Sequence, residues 1–484
     1  MIKQENPTLL KAVLKRIWVV VVGAIIVAAF LIWPVLSNSP VDYANIEDHF
    51  KYGSIGSEPV NGIPYWIWKV LPEMFSDKLP GKGYASLGFI NESGKDTPIG
   101  FSKRRVLINR VGLNCAVCHT GTIRDTPNSE HRAIAAMPAN VIDLKGYSNF
   151  LTASALDERF NPRRMMTEIE RIGGNLNFIE KLIYRYIAIP QTRDALITQG
   201  SRLSFLERQP DWGPGRVDTF NPYKAIQFHF PMDKLREDEL IGTADFPSVW
   251  NQKPREGLQL HWDGNNKSVD ERNKSAALGA GVTPTTIDLL RIQRVADWLW
   301  ELPPPAYPYE INENLASVGE RVYQNNCANC HAFGSSHVGK VVPIEEIGTD
   351  PHRLNSYTYE LLSNQNTLFA GYPWRFKNFR KTNGYANIPL DGIWLRAPYL
   401  HNGSVATLRN LLEVPEKRLK EFYRGYDVFD KKNVGFASDV AEENGRKYFK
   451  FDTTLPGNSN SGHLYSTDLS PDEKDALVEY MKKL

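Results

Sequence analysis

The feature that most constrains this chain of 484 residues is a short pattern that occurs twice. Two cysteines separated by two residues are followed at once by a histidine, first in "NCAVCHTG" (Cys115, Cys118, His119) and again in "NCANCHAF" (Cys327, Cys330, His331). The copies lie about 210 residues apart and use all four cysteines of the chain. One such pattern arises by chance with a probability of only about 10⁻³, so the pair indicates a chemical function.

Haem c accounts for every residue of both motifs. Structural zinc usually needs four protein ligands, whereas each motif offers two thiolates and one histidine. Disulfides do not account for a histidine after both cysteine pairs. In c-type cytochromes the two thiols bind one haem covalently, and the histidine that follows ligates its iron. The sequence therefore predicts two haem c groups, with His119 and His331 as iron ligands.

The second axial ligand of each iron decides its function, because an open position can bind dioxygen or peroxide. After Cys330 the one methionine is Met481, close to the end, so we predict a histidine ligand for the second haem. The candidates are His337, His352, His401 and His463. We prefer His463, which lies in the loop "LPGNSNSGHLYSTDL" just before the last predicted helix.

The first haem has several candidate distal residues, and none stands out by its spacing. Those near enough in sequence to ligate are His131, Met137, His229, Met232 and His261. Two aromatic segments add Trp250, in "ADFPSVWNQ", and Trp262, which follows His261 in "QLHWDGNN". Core packing is the competing interpretation of both indoles. We therefore predict a distal pocket that contains Trp250, Trp262 and His261.

An uncharged run of 20 residues, Ile17 to Leu36, is long enough to cross a hydrocarbon core of about 30 Å as a helix. Basic residues precede this run and acidic residues follow it, which favours a periplasmic location for the bulk of the chain. We predict a cytoplasmic tail (1–16), a transmembrane anchor (17–36) and a single-pass inner-membrane protein. A signal peptide cleaved near "SNS", Ser37 to Ser39, is the alternative, and it would leave a periplasmic protein.

A proline run, "LPPPAYP", separates a predicted N-terminal haem domain (40–302) from a C-terminal one (309–484). A helix that we predict to begin at Thr283 stops there, and the final helix opens with a capping box at Ser470 and Glu473. Long alternating patterns typical of strands are missing. The predicted fold is mainly α, with two cytochrome c-like haem domains and long loops behind one transmembrane helix. A net charge of +2 gives no reason to expect a nucleic-acid partner.

Together with the two motifs, "IPLDGIWLRAPYLHNGSVATLRNLL" (388–412) resembles the signature of bacterial di-haem cytochrome c peroxidases and of the related enzyme that matures methylamine dehydrogenase. Four further segments resemble the rubber oxygenase branch of that superfamily more closely: "DWGPGRVDTFNPYK", "DFPSVWNQ", "LHWDGNN" and "LPGNSNSGH". The methionine that ligates one haem of the classical peroxidases is missing, since "NLLEVPEK" stands in its place.

The resemblance implies a division of labour between the two haems. The N-terminal haem, on His119, would react with peroxide or dioxygen, and the C-terminal haem, held by His331 and His463, would relay electrons. His401 of "PYLHNG" would lie near the second haem without ligating it. A calcium ion between the haems is a further feature that the resemblance implies, and the sequence does not locate its ligands.

We therefore predict a haem-dependent oxidoreductase of peroxidase or oxygenase type. Its expected partners are a small electron-donor protein or a quinol-linked one, besides the membrane. The alternative is a non-catalytic di-haem electron carrier, and a less favoured third is a haem sensor that signals through its anchor.

Overall fold

The computed structural model describes residues 15–19, 21–23 and 38–484. The helices that follow residue 38 are α1 (Ile46–Tyr52), α2 (Glu58–Asn61), α3 (Tyr65–Met74), α4 (Leu144–Leu156), α5 (Pro162–Arg171), α6 (Phe178–Ile183), α7 (Ile189–Arg202), α8 (Asn221–Gln227), α9 (Val269–Gly279), α10 (Leu289–Glu301), α11 (Glu313–Asn326), α12 (Ala328–His331), α13 (Ile344–Ile347), α14 (His352–Ser356), α15 (Tyr359–Leu368), α16 (Leu408–Leu411) and α17 (Pro471–Met481). A π-helical segment, Tyr184–Ala188, joins α6 to α7.

The strands are short and pair only in antiparallel fashion within the described chain. They are β1 (Asn38–Pro40), β2 (Ile63–Pro64), β3 (Phe101–Val106), β4 (Ile108–Leu113), β5 (Thr120–Ile123), β6 (Arg132–Ala135), β7 (Arg216–Asp218), β8 (Thr243–Asp245), β9 (Val341–Pro343), β10 (Gly384–Ala386), β11 (Glu421–Arg424), β12 (Phe429–Asp430), β13 (Gly435–Phe436), β14 (Glu442–Glu443), β15 (Arg446–Lys447) and β16 (Phe449–Asp452). One sheet has four strands in the order β1-β3-β4-β2, and the others are two-stranded pairs: β5-β6, β7-β8, β9-β10, β11-β16, β12-β13 and β14-β15.

This architecture corrects the predicted fold class. The structure is 42% helical and 13% strand, with several small sheets, so it is not the mainly α chain behind a transmembrane helix that we predicted. The longest strands, β3 and β4, have only six residues each. Strands this short do not produce the long alternating pattern on which the sequence-based prediction of strands depends.

The predicted anchor is corrected as well. Within the described ranges, the structure contains no helix whose length and apolar character would let it cross a membrane. Residues 15–19 and 21–23 are helical, whereas a crossing takes about 20 residues in succession. Residues 1–14, 20 and 24–37, which make up most of the predicted tail and anchor, lie outside the described residues. The single-pass inner-membrane localisation, and membrane contact through that helix, are therefore unsupported.

The largest buried clusters divide the described chain unequally. One cluster is built from residues 65–246 alone and includes Trp68, Phe101 and Tyr147. A second cluster, here called the shared core, draws buried side chains from both halves of the chain: Phe50, Ile123, Trp250, Tyr323, Trp394 and Leu477 are among them. The two cysteine motifs both border this shared core, through Cys115 and Cys327.

The helix before the second motif packs closely on the final helix. A Cβ at Gly319 of α11 would lie 1.8 Å from the carbonyl oxygen of Ala476 in α17, so only glycine permits this approach. The rings of Tyr323 and Tyr480 meet one turn further along, with centroids 5.2 Å apart. The capping box predicted at Ser470 is present, with Glu473 returning the hydrogen bond.

Asp427 ties the C-terminal half to the strand that follows the first motif. Its carboxylate accepts hydrogen bonds from Thr122 (2.7 Å), from Arg124 Nε (2.7 Å) and from His131 Nδ1 (2.6 Å), and it is only 2% exposed. Burial raises the pKa of Asp427, but these hydrogen bonds outweigh it and hold the pKa below its usual value. The carboxylate therefore stays charged at neutral pH inside the fold.

We expect Asp427→Ala to lower the free energy of unfolding by about 3 kcal/mol, because it removes the carboxylate that pairs with Nε of the buried Arg124 guanidinium and leaves Glu443 as its remaining partner. Because the folded pKa is depressed, the loss is full at neutral pH and shrinks as the pH falls below about 4. Denaturant unfolding at pH 7 and at pH 3 measures both. Glu421→Ala is the control, since Glu421 pairs with Lys450 at the surface; an equal loss in both variants would contradict the argument.

Candidate haem sites

The turn that carries the first motif is fastened to α1 by the buried side chain of Asn114. Its Oδ1 accepts the N–H of Ala116 at 3.0 Å, and its Nδ2 donates to the carbonyls of Lys51 (3.2 Å) and Gly53 (3.0 Å). The 3₁₀ turn Cys115–Val117 starts directly after it. One amide that satisfies three backbone groups fixes this turn, and with it the position of both thiols.

All four cysteines are free thiols, so no disulfide closes either motif. Burial raises the pKa of Cys115 to about 11, of Cys118 to about 12 and of Cys327 to about 11, so these thiols are protonated at neutral pH. In the described part of the chain, no three His, Cys, Asp or Glu side chains are grouped so that they could hold a metal ion. The geometry thus favours neither the disulfide nor the zinc alternative, and the calcium ion stays an unplaced prediction.

The two motif histidines are oriented in the same way. His119 Nδ1 donates to the carbonyl of Pro247 at 2.9 Å, and His331 Nδ1 donates to the carbonyl of Ile388 at 2.7 Å. A carbonyl can only accept, so each ring carries its proton on Nδ1 and keeps Nε2 free as a ligand atom. Burial lowers the pKa of His119 to about 4 and also lowers that of His331. Both rings are therefore neutral at pH 7, the state that iron ligation requires.

His331 and His463 face each other across a gap that fits one iron ion. Their ring centroids are 6.3 Å apart, with the planes inclined by 39°. Two imidazoles on opposite sides of one ion would have centres about 6.3 Å apart, given metal–nitrogen bonds of about 2.0–2.1 Å and about 1.1 Å from nitrogen to ring centre. Burial lowers the pKa of His463 to about 3, so this ring too is neutral. The pair fits a haem iron with two histidine ligands.

The other candidate histidines of the C-terminal half have different contacts. His337 bonds to Ser336 and Asn329, and His352 lies 2.8 Å from the carboxylate of Asp350. His401 is buried and stacked on Tyr385, with centroids 3.9 Å apart.

The turn that carries His401 nevertheless touches the loop that carries His463. The Asn402 amide, next in the chain, donates to the carbonyls of Gly457 and Ser459 in that loop. The turn of His401 thus contacts the loop of His463, and the position of His401 near the second haem stays a prediction.

The two tryptophans predicted for the first distal pocket both contact the C-terminal half. Trp250 is fully buried in the shared core, where its indole N–H donates to the carbonyl of Asp391 at 3.2 Å. Trp262 donates to the carbonyl of Asp245 at 2.9 Å and packs against Ile347 and Tyr385. The structure does not gather the two indoles into one cluster, and their role at the first haem stays a prediction.

His261 shares an electrostatic neighbour with His119. Its Nδ1 bonds to Asn265 Oδ1 at 2.5 Å, and its ring stacks on Phe379 with centroids 6.0 Å apart. Burial lowers the pKa of His261 to about 4, and the charge of Arg272 contributes to lowering the pKa of both His261 and His119. The φ of His261 is +62°, an unfavourable value for a non-glycine residue that is often found at functional sites.

The sequence did not reveal several groups that hold the candidate ligand histidines in place. The carbonyls of Pro247 and Ile388, which orient the two ligand histidines, belong to the backbone, and a backbone carbonyl leaves no signal in the residue type. Arg418, whose guanidinium binds the carbonyl of His463, lies in "EKRLKEF", which carries no motif. Neither kind of contact is visible without the fold.

Residues 384–424 match the RoxA-like, cytochrome c-like family model. These residues are similar to a cytochrome c-like domain. The matched segment covers the turn with His401 and ends beyond Arg418, and it supports haem c as the cofactor of a haem cytochrome. The match concerns a small part of the chain, and it supports a link to cytochromes c without confirming the di-haem peroxidase superfamily.

Two curated relatives come from Sinorhizobium fredii, and both are named as uncharacterized proteins. The protein y4iM is 34% identical over 282 residues, which is 49% of this chain and 64% of y4iM. The protein y4iJ is 25% identical over 519 residues, with 82% of this chain and 83% of y4iJ covered. The chain thus spans less than two thirds of y4iM, and neither name carries a function that might be compared.

Proposed function

We propose that this protein is a di-haem c-type cytochrome oxidoreductase of the periplasm, with an N-terminal haem that reacts with peroxide or dioxygen and a C-terminal haem that relays electrons. The observation that carries the proposal is an asymmetry between the two sites. His331 faces His463 at a distance suited to one iron, whereas His119 faces no second histidine ring among the described residues. An iron with one histidine ligand keeps a position for a small oxidant, and one with two histidine ligands favours electron transfer.

The residues of the chain would divide the work as follows. Bound haem c supplies the redox chemistry of both sites. Pro247 and Ile388 hold the Nδ1 protons of His119 and His331, so that each Nε2 is presented in a fixed direction. His463 closes the second site from the opposite side. His261, which we predict for the distal pocket of the first haem, is neutral and held by Asn265, so its Nε2 would be free to accept a proton there.

The periplasmic location rests on the basic N-terminus followed by an apolar run, which are typical of a signal for export. There the protein would receive electrons from a small donor protein or a quinol-linked one.

A non-catalytic di-haem electron carrier is the second candidate. The observation in its favour is the same His331–His463 pair, because a site filled from both sides is suited to electron transfer alone. In that case the first haem would also have two protein ligands.

Electron paramagnetic resonance of the purified oxidised protein separates the two candidates. We expect one high-spin ferric signal from the first haem and one low-spin signal from the second, and we expect peroxide to change only the former. Two low-spin haems that stay indifferent to peroxide, even after partial reduction, would overturn the enzyme proposal in favour of the carrier.

A further inference from the structure

Every N–H of the Arg418 guanidinium donates to a backbone carbonyl, and three of these five carbonyls belong to the loop that carries His463. Its Nε donates to Glu413 O (2.9 Å), its Nη1 donates to Gly462 O (2.9 Å) and Asn460 O (2.5 Å), and its Nη2 donates to Leu411 O (3.2 Å) and His463 O (3.2 Å). Five donors are all that a guanidinium has. The residue is 3% exposed, so these hydrogen bonds form away from bulk water and each lost bond would leave a buried carbonyl unsatisfied.

The loop that Arg418 holds has no regular structure of its own. Residues 458–464 form neither helix nor strand, and His463 has a φ of +47°, in the left-handed region that costs a non-glycine residue energy. Gly462 is closely packed, since a Cβ there would lie 2.3 Å from the backbone of Gly348. The backbone of His463 itself has two contacts: its N–H donates to Ile347 O at 2.8 Å, and its carbonyl accepts from Arg418. Asn402 and Asp350 bind the loop further upstream, at Ser459.

Arg418 also brings a buried positive charge to this position. All its hydrogen-bond acceptors are carbonyls, and no carboxylate forms a salt bridge with it in the described chain. Burial lowers the pKa of Arg418 to about 10, so the guanidinium remains protonated at neutral pH. The guanidinium binds the carbonyl of His463 at 3.2 Å, so this charge lies directly beside the residue that we propose as an iron ligand.

We propose that Arg418 is a positioning residue that holds His463 on the second haem iron, and that its charge raises the reduction potential of that haem. The inference rests on the proposed function, in which His331 and His463 ligate one iron. The ferric state carries one more positive charge than the ferrous state, so a nearby cation destabilises the ferric state more. Removing the cation should therefore make the second haem harder to reduce.

Two variants test the positioning role of Arg418 and the effect of its charge separately. Arg418→Gln removes the charge and most of the hydrogen bonds. Arg418→Lys keeps the charge but offers three donors from one point in place of a planar fork. The holoprotein is titrated spectroelectrochemically, and the low-spin signal of the second haem is recorded by electron paramagnetic resonance.

In Arg418→Gln we expect the ratio of reduced to oxidised second haem at a fixed potential to fall about tenfold, which is about 59 mV for one electron. In Arg418→Lys we expect a smaller fall, together with a partial loss of the low-spin signal. An unchanged potential in Arg418→Gln would overturn the role of the charge, as would equal shifts in both variants. An unchanged low-spin signal in Arg418→Lys would overturn the positioning role, and this variant decides alone if Arg418→Gln yields no folded holoprotein.

Arg110→Gln is the matched control, because Arg110 is also desolvated and also binds a carbonyl, that of Pro59, in the four-stranded sheet. It should leave the second haem unchanged. His463→Ala tests the underlying assignment separately. If His463→Ala leaves the second haem low-spin, the ligand assignment fails; if it turns that haem high-spin while Arg418→Gln changes nothing, the proposal about Arg418 alone fails.

Discussion

Replacing His463 with alanine is expected to convert the second haem from low-spin to high-spin, while the first haem keeps its spectrum. His463 is the one histidine ring that faces His331 in the described chain, and alanine has no atom that could take the place of its nitrogen. The visible spectrum and the paramagnetic resonance spectrum of the oxidised holoprotein report the change directly. We expect essentially complete loss of the low-spin signal of that haem.

His352→Ala and His401→Ala are the matched controls. His352 is engaged with Asp350, and His401 is stacked on Tyr385, so neither substitution should remove an iron ligand. If His463→Ala kept a low-spin second haem and one of these variants lost it, the ligand would be that histidine instead. The proposed division between a reactive haem and a relay haem would then need a different geometric basis.

Substituting both cysteines of the first motif, Cys115→Ala with Cys118→Ala, should remove one covalently bound haem and leave the other. The attached haem per chain should fall by about half, since each motif provides both thiols for its own haem. Mass spectrometry of the denatured protein measures attachment independently of activity. The reciprocal pair, Cys327→Ala with Cys330→Ala, should give the same mass but remove the low-spin signal of the second haem.

Two outcomes would contradict the assignment of one haem to each motif. In the first, both haems remain attached after the first pair of thiols is removed. In the second, the protein without substitutions already carries only one haem. Loss of all haem from either double variant would mean that the two sites cannot be filled separately, contrary to the prediction.

Short motifs in the sequence led to specific predictions about haem attachment, whereas the fold around the motifs was harder to predict. The two cysteine motifs could be interpreted because adjacent residues carry their whole meaning, and the capping box at Ser470 was found for the same reason. The strands were missed because β12 to β15 have two residues each, too few for a pattern. Helix α10 begins with Asp288 as its N-cap and not at Thr283, since residues 283–286 close a separate turn.

Contacts between distant parts of the chain set the remaining features of the candidate sites. The loop before the last helix and the family resemblance suggested His463 as the partner of His331, but nothing near His463 in sequence indicates that Arg418 binds its carbonyl. For the apolar run at residues 17–36, by contrast, a strong local pattern predicted a transmembrane helix that the described structure does not support. Local patterns identify chemical groups, whereas tertiary packing decides which groups meet.

The shared core has a consequence for communication between the two sites. Trp250, from the predicted N-terminal haem domain, and Trp394, from the C-terminal one, are packed into the same apolar cluster. Both cysteine motifs border this cluster. Close-packed interiors resist compression and do not let their parts slide freely. The distance between the two sites is thus fixed by packed side chains and not by a flexible linker. Electron exchange between the proposed haems would run at one distance, with a rate that varies little as the protein moves.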